Sequence, residues 1–309
     1  MSKFAGRTNA MQNNILYQAY GTIDHVNECR YSLLKYLQFY NLTPPAGVGI
    51  HIYTDRPAWF EEFSSYFKSF EIHEISTNMI NQWKGAINFI HRVKVEILID
   101  FFKYFTGNVL YLDTDTYIRQ DVEYLFEAIE NGSFIMHEYE GVINQKVNPQ
   151  FRKWENFLAV TPIQYNGKRL EFSSQLQVWN AGVIGLNIIH QDILQDVLAL
   201  TDNLYKKFPK HIAEQFAFSY CFQKQGQVTS SADSIFHYWD LKEFRNILNR
   251  FFENNKEESI PNLVKFAHHL DAEQIKYEKQ VFMNLPVLKQ LSRRLVGKGW
   301  KIEDYEKKL

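Results

Sequence analysis

Short, mainly apolar runs alternate along the chain with longer runs in which apolar residues recur at helical spacing. Residues 14–20 form a run of strand length that Gly21 ends, and apolar residues from Val26 to Tyr40 then recur about every 3.6 residues. After the Pro44-Pro45 pair, residues 48–54 form the next apolar run. The opening of the chain therefore predicts a strand–helix–strand unit.

The same alternation continues to the C-terminus. Further strands are predicted at 70–75, 109–112, 133–137, 178–186, 235–239 and 263–267. Further helices are predicted from Pro57 onward and at 82–105, 121–129, 190–208, 211–223, 241–252 and 285–295, with an irregular stretch at 147–167. This order predicts the α/β class: a Rossmann-like, mostly parallel central sheet flanked by helices, which binds ligands beyond the carboxyl ends of its strands.

The domain organisation is predicted to be simple. The sequence contains no repeat, low-complexity tract or obvious linker, so residues 1–309 are expected to form one domain with a helical extension at 277–309.

Composition narrows the class of protein. An apolar content of 45% with 22% charged residues is typical of a globular protein with a large core. The formal net charge of -1 gives no broad electrostatic footprint for nucleic acid, so no nucleic-acid partner is expected.

The compartment is predicted from three further features. Cys29 and Cys221 lie far apart, the N-terminal residues 1–7 are polar, and no run reaches the ~20 apolar residues of a membrane-spanning helix. These features predict a cytoplasmic protein. The basic and aromatic segment 293–301 is either a solvated last helix or a peripheral contact with an anionic membrane surface.

The acidic turn Asp113-Thr114-Asp115 directly follows the apolar strand 109–112. In extended backbone, residues i and i+2 point the same way, so the two carboxylates share a side and Thr114 points away. Two carboxylates at a strand end suit a divalent ion that also binds a diphosphate. The alternative is a strand-ending turn in which the aspartates cap nearby backbone N–H groups.

Other segments surround this turn in a fixed order. A helix with Arg92 and Lys94 precedes the strand, and Asn180-Ala181-Gly182, Glu214-Gln215 and His268-His269 follow it. In order and approximate spacing, from about residue 14 to residue 276, the chain resembles the retaining glycosyltransferases of family 8. The resemblance implies the GT-A fold, with a nucleotide-sugar-binding half at 14–130 and an acceptor-binding, metal-completing half at 131–276.

The resemblance also implies the metal ligands and the phosphate contact. Asp113 and Asp115 would bind Mn²⁺ or Mg²⁺, Asp113 would also lie near the ribose, and His268 would be the third ligand. His269 is the alternative, because neighbouring residues on a strand face opposite ways. Arg92 would contact the donor's phosphates or sugar, and Lys94, about 200° around the helix, cannot face the same ligand squarely.

Further roles are implied for the sugar and nucleoside ends of the donor. Asn180, Glu214 and Gln215 would lie at the transferred sugar, as the catalytic set. The donor-binding set would also include Ala19, Tyr20, Thr114 and Gly182. The chain departs from the family where Tyr20-Gly21 follows Ala19 in place of an aspartate, and where Lys276 is out of register with a diphosphate-binding lysine.

The predicted function is metal-dependent transfer of a hexose from a nucleoside-diphosphate sugar, expected to be a UDP-sugar, to a hydroxyl of a glycan or another acceptor, with retention. Two alternatives remain open. One is a phosphatase of the haloacid-dehalogenase type with Asp113 as its nucleophile, although Tyr117 stands where that pattern has Thr or Val. The other is a catalytically silent nucleotide-sugar-binding protein.

Overall fold

A seven-stranded sheet forms the centre of the fold. The computed structural model describes residues 13–144, 149–171, 173–302 and 305. The strands are β1 Asn13–Ala19, β2 Val48–Thr54, β3 Phe70–Glu74, β4 Asn108–Leu112, β5 Thr116–Ile118, β6 Phe134–Met136, β7 Tyr139–Val142, β8 Gln164–Tyr165, β9 Lys168–Arg169, β10 Gln177–Trp179, β11 Val183–Asn187, β12 Val228–Ser230 and β13 Ile235–His237.

The strand order of the central sheet is β12-β6-β11-β4-β1-β2-β3. Strands β4, β1, β2 and β3 are mutually parallel, β12 is parallel to β6, and β11 runs antiparallel to both of its neighbours. The carboxyl ends of β1, β2 and β4 therefore lie side by side at the same end of the sheet. The predicted α/β class with a mostly parallel, helix-flanked sheet is confirmed.

Three pairs of short strands, β5–β13, β7–β10 and β8–β9, lie outside the central sheet. The antiparallel β5–β13 pair matters most for function, because it aligns His237 with Thr116, one residue after the acidic turn.

Helices cover both faces of the sheet. They are α1 Ile23–Phe39, α2 Thr77–Trp83, α3 Arg92–Tyr104, α4 Glu123–Glu130, α5 Pro149–Val160, α6 Ile193–Lys207, α7 Ala213–Gln225, α8 Phe244–Asn254, α9 Ile260–Ala267, α10 Ala272–Met283 and α11 Val287–Leu295. The apolar residues of α1, α4, α8 and α9 form one core cluster, and those of α3, α5, α6 and α7 form a second. Residues of β1 alternate between the two clusters, as the period of a strand requires.

Several predicted elements differ from those observed. The helix predicted at 82–105 is two helices, α2 and α3, because Gly85 and Asn88 between them adopt left-handed φ angles of 64° and 49°. The helix predicted from Pro57 is two short 3₁₀ segments, Pro57–Trp59 and Glu61–Tyr66. The stretch predicted to be irregular contains α5, and the strand predicted at 178–186 is interrupted between β10 and β11.

The strand predicted at 263–267 was wrong, since these residues belong to α9. Ile260, Leu263, Val264 and Ala267 are buried in the first core cluster at the i, i+3, i+4, i+7 spacing of a helix face. Pro261 lies in the first turn, where a missing N–H costs nothing. This correction removes His268 from a strand end.

The polar N-terminal segment 1–7 lies outside the described residues, and the division at 130/131 and 276/277 stays a prediction. Across the described ranges, none of the helices combines the length and the apolar character that crossing a bilayer requires. Cys29 and Cys221 are both buried and unpaired.

Candidate active site

The acidic turn lies at the carboxyl end of β4, in the middle of the sheet. The Asp113 N–H donates to the Gly182 carbonyl at 2.8 Å, which extends the pairing of β4 with β11 by one residue. The Thr114 hydroxyl instead lies 3.3 Å from the buried carboxylate of Glu28. Thr114 therefore points into the protein, away from the expected donor site, as the alternation of an extended segment requires.

Asp113, Asp115 and His237 form a group whose ligand atoms all lie within 4.8 Å of one another. His237 comes from β13, and its Nε2 atom is 3.1 Å from Asp115 Oδ1. The ring is 6% exposed, so it is held by its neighbours. The pairing of β5 with β13 is what brings this histidine to the turn.

Asn180 fixes the protonation of the His237 ring. The Asn180 amide is oriented by its neighbours, because Oδ1 accepts from the Gly182 N–H at 2.9 Å and Nδ2 donates to Glu140 at 3.0 Å. The same Oδ1 lies 3.1 Å from His237 Nδ1, so that nitrogen must carry a proton. The lone pair of a neutral His237 is therefore on Nε2, which faces the Asp115 carboxylate.

Two acceptors facing each other at 3.1 Å need a cation between them or a second proton on the ring. Burial alone would raise the pKa of Asp115, but the His237 ring beside it, with Arg245 farther away, lowers this pKa to about 2. Two carboxylates and one oriented imidazole, with an amide oxygen behind the ring, are a donor set that Mn²⁺ and similar divalent ions accept. The residues present fit a divalent metal.

His268 is not part of this group, which corrects its predicted ligand role. It follows helix α9, and its Nδ1 atom lies 2.5 Å from the Gln38 side chain. Among the described residues, the metal-competent group at the turn contains His237 instead. His269, the alternative ligand, stands beside His268 after the same helix and is likewise outside the group.

Lys94 connects the acidic turn to helix α7. Its Nζ atom lies 3.1 Å from Asp113, 3.0 Å from Glu214 and 2.7 Å from the Ala181 carbonyl. The contacts with Asp113 and Ala181 are hydrogen bonds, and the contact with Glu214 is an ion pair. Burial alone would lower the pKa of Lys94, but the two carboxylates more than offset this and raise it. Lys94 stays charged and holds Asp113 and Glu214 in place.

Arg92, predicted to contact the donor, faces the other way. Its guanidinium donates to Asp202 at 2.7 Å, to Glu96 at 2.6 Å and to the Trp83 carbonyl at 2.6 Å. These contacts join α3 to α6 and to the end of α2. In this structure Arg92 is a structural anchor, and the cation at the acidic turn is Lys94.

Asn180 and Gln215 are brought together by Glu140, a residue that sequence analysis missed. One carboxylate oxygen of Glu140 accepts from Asn180, and the other accepts from Gln215 Nε2 at 2.8 Å. Glu140 itself is exposed, whereas both amides are largely buried. The three side chains form a polar surface on the His237 side of the turn, because Asn180 also contacts that ring.

The opposite side of the turn is formed by the ends of β1 and β2. Burial, together with the nearby carboxylates of Asp113 and Asp55, raises the pKa of Tyr20. Three buried oxygen atoms here have no hydrogen-bond partner among the described residues: Gln18 Oε1, Tyr20 Oη and Asp55 Oδ1. Ala19 is fully buried in the first core cluster, so it can offer a ligand only its backbone. Unsatisfied buried oxygens at a strand end are the polar groups that a bound ligand would satisfy.

Comparisons with known proteins give distant structural likenesses. The fold is similar to mouse xyloside xylosyltransferase 1 in its apo form, with a TM-score of 0.45 and 11% identity over 71% of this chain and 84% of that one. It is also similar to the glycosyltransferase GlyE of Streptococcus pneumoniae TIGR4, with a TM-score of 0.42 and 13% identity over 82% of this chain and 52% of that one. For the bifunctional glycosyltransferase WbbM in its apo form, the TM-score is 0.42 and the identity 10% over 73% of this chain and 40% of that one.

These matches span about half or less of GlyE and WbbM. No protein-family profile and no curated protein matches the chain. Likenesses this distant give no information about function. Membership of family 8 therefore stays a prediction, and the function proposed below depends on the geometry of the site.

The residues that sequence analysis missed share one property. His237 and Glu140 reach the site through strand pairings outside the central sheet, β5 with β13 and β7 with β10. The strand containing His237 was predicted, but its partner strand was not. A polar residue inside that short apolar run was the available signal.

Replacing Gly182 with alanine is expected to disturb the metal group directly. A Cβ atom at this position would lie 2.3 Å from His237 Cε1 and 2.4 Å from Nδ1, so the ring must move. We expect Mn²⁺ affinity to fall about 10–100-fold and the free energy of unfolding to fall by about 1–3 kcal/mol. Manganese titration and thermal unfolding measure the two effects.

The matched control is Gly47→Ala, because a Cβ atom at Gly47 meets nothing within 4 Å. Manganese affinity in Gly182→Ala equal to that of this control would show that His237 is not a ligand.

Proposed function

We propose that this protein is a metal-dependent glycosyltransferase that transfers a hexose from a nucleoside-diphosphate sugar to a hydroxyl acceptor, with retention of anomeric configuration. The observation that carries the proposal is the group Asp113, Asp115 and His237 at the carboxyl end of a mostly parallel sheet, with His237 Nε2 3.1 Å from Asp115 Oδ1. The proposed donor is a UDP-sugar and the proposed acceptor a glycan or another hydroxyl compound.

The proposed metal is Mn²⁺ or Mg²⁺, held by these three side chains. When bound, such an ion neutralises the charge that develops on a departing diphosphate. Asn180 orients the His237 ring through its side-chain oxygen. Lys94 fixes the Asp113 carboxylate, so that the ligand geometry exists before the donor arrives.

The two sides of the turn suit the two ends of such a donor. The unsatisfied oxygens of Gln18, Tyr20 and Asp55 support placing the nucleoside beyond β1 and β2. The polar surface of Glu140, Asn180 and Gln215 supports placing the transferred sugar on the His237 side. In this arrangement the diphosphate lies between them, over the metal group.

Retention is supported by the state of the carboxylates near the proposed sugar. Glu214 is buried, and its carboxylate is already ion-paired with Lys94. Both oxygens of Glu140 accept hydrogen bonds from amides. In a retaining reaction the leaving diphosphate can accept the acceptor's proton, so no dedicated base is required.

The test is a panel of nucleoside-diphosphate sugars incubated with Mn²⁺ or with EDTA, with donor hydrolysis and transfer followed by chromatography and product anomericity by NMR. The proposal expects metal-dependent release of nucleoside diphosphate and a product with the donor's configuration. A phosphoenzyme that Asp113→Asn abolishes would support the phosphatase alternative. Donor binding without turnover across a broad acceptor panel would support the silent-binding alternative.

Two other expectations stay predictions. Contact of the segment 293–301 with an anionic membrane surface, and a cytoplasmic location, rest on the sequence alone.

A further inference from the structure

A second group of metal-competent side chains lies on β2 and β3. Ligand atoms of His51, Glu71 and His73 all lie within 4.8 Å of one another. His51 and Glu71 are paired in the parallel register of the two strands, and His73 follows Glu71 by two residues on the same face. Strand β3 is the last strand of the sheet, so the group lies at its edge.

Asn14 on β1 fixes the protonation of His51. The Asn14 side-chain nitrogen donates to the carbonyls of Asn108 at 3.0 Å and Thr106 at 3.3 Å, which makes its side-chain oxygen the acceptor. That oxygen lies 3.1 Å from His51 Nε2, so this nitrogen carries the ring proton. The lone pair of a neutral His51 is therefore on Nδ1, which lies 3.1 Å from His73 Nε2.

We propose that His51, Glu71 and His73 form a zinc site that fastens the edge strand β3 to the sheet. Two histidines and one glutamate are a known ligand set for Zn²⁺. With Zn–N bonds of about 2.0–2.1 Å and tetrahedral angles, two ligand nitrogens lie roughly 3.3 Å apart. The observed separation of 3.1 Å is slightly shorter than this distance.

The hydrogen bond made by the second ring nitrogen of His51 supports a ligand role for this ring. His51 Nε2 donates to the Asn14 side-chain oxygen. Metal-ligating histidines almost always donate from their second ring nitrogen in this way.

Access to the site differs among the three ligands. His51 is fully buried, whereas Glu71 and His73 are half-buried on the edge strand. An ion can enter from the solvent side of β3, and a water molecule can complete a tetrahedron there. The alternative is a hydrogen bond from His73 to His51 with no ion, which the following experiment distinguishes.

Tag-free protein, stripped of metal with a chelator, is titrated with Zn²⁺ by calorimetry and with Co²⁺ by visible absorption. We expect a zinc site that persists in Asp115→Asn, where the acidic turn lacks one carboxylate, and loss of that site when His73→Ala is added to Asp115→Asn. Zinc should raise the Tm of Asp115→Asn but not that of the double variant Asp115→Asn/His73→Ala. His269→Ala, which removes a histidine outside the group, is the matched control and should bind zinc like the wild type.

A second variant guards against misfolding of His73→Ala. Glu71→Gln preserves shape on the half-exposed edge strand, and we expect it to weaken zinc binding at least about tenfold without changing the Tm of the metal-free protein. The proposal is overturned if both variants, each added to Asp115→Asn, bind zinc as tightly as Asp115→Asn alone. It is also overturned if Asp115→Asn binds no zinc, because the wild-type site would then be the acidic turn.

Discussion

Replacing Asp115 with asparagine is expected to lower kcat/KM for sugar transfer by at least about a hundredfold, because the substitution removes one carboxylate from the proposed metal group. The Asp115 oxygen lies 3.1 Å from His237 Nε2, and its negative charge is the feature expected to draw a cation to this position. The variant retains nearly the same shape, which limits the effect to charge. Turnover measured over a range of Mn²⁺ concentrations should also show a raised metal requirement.

The matched control for this variant is Asp233→Asn. Asp233 is an exposed carboxylate on the segment before β13 and lies outside the metal group. Its kinetic constants should equal those of the wild type. Equal activity of the two variants would contradict a metal role for Asp115.

Replacing Lys94 with methionine is expected to lower the free energy of unfolding by about 3–5 kcal/mol. Lys94 is 3% exposed and contacts two carboxylates, Asp113 and Glu214. Methionine fills the volume but leaves Glu214 as a buried charge without its partner. Chemical denaturation followed by circular dichroism measures the loss.

Two further variants make this result specific. Lys103→Met, on the same helix α3, removes a lysine whose side chain is 58% exposed and ion-paired with Asp100. The change there should not exceed about 1 kcal/mol, since exposed ion pairs contribute little. Adding Glu214→Gln to Lys94→Met should recover part of the lost stability. A loss in Lys94→Met no larger than that in Lys103→Met would show that the buried pair contributes little.

The parts of the fold that could be predicted from sequence are those that depend on the local pattern of apolar and polar residues. Strands β1, β2 and β4 are short, mainly apolar segments with glycine or proline close to one end, and the acidic turn directly follows the last of them. The side-by-side geometry of Asp113 and Asp115 also follows from the period of a strand. These elements needed no knowledge of tertiary contacts.

The third metal ligand could not be predicted in this way. His237 reaches Asp115 because β13 pairs with β5, more than a hundred residues earlier in the chain. Nothing in the sequence near His237 specifies that partner. The resemblance pointed to His268 instead, and that position depended on a strand where Pro261 and the apolar spacing form α9.

The side chain of α3 that faces the acidic turn, Arg92 or Lys94, also could not be predicted from local sequence. Helical geometry correctly separated the two side chains on opposite faces of α3. Tertiary packing decides which face of α3 meets the site. Arg92 donates to Asp202 on α6. Lys94 donates to Asp113 at the end of β4. That packing is a tertiary property that local spacing does not encode.

The proposed function depends on a divalent ion bound by Asp113, Asp115 and His237. We expect His237→Ala to weaken Mn²⁺ binding at least about tenfold and His268→Ala to bind like the wild type. Electron paramagnetic resonance in the presence of a nucleoside diphosphate measures the manganese affinity of both variants. The opposite order, or equal affinity in both variants and the wild type, would show that His237 is not a metal ligand.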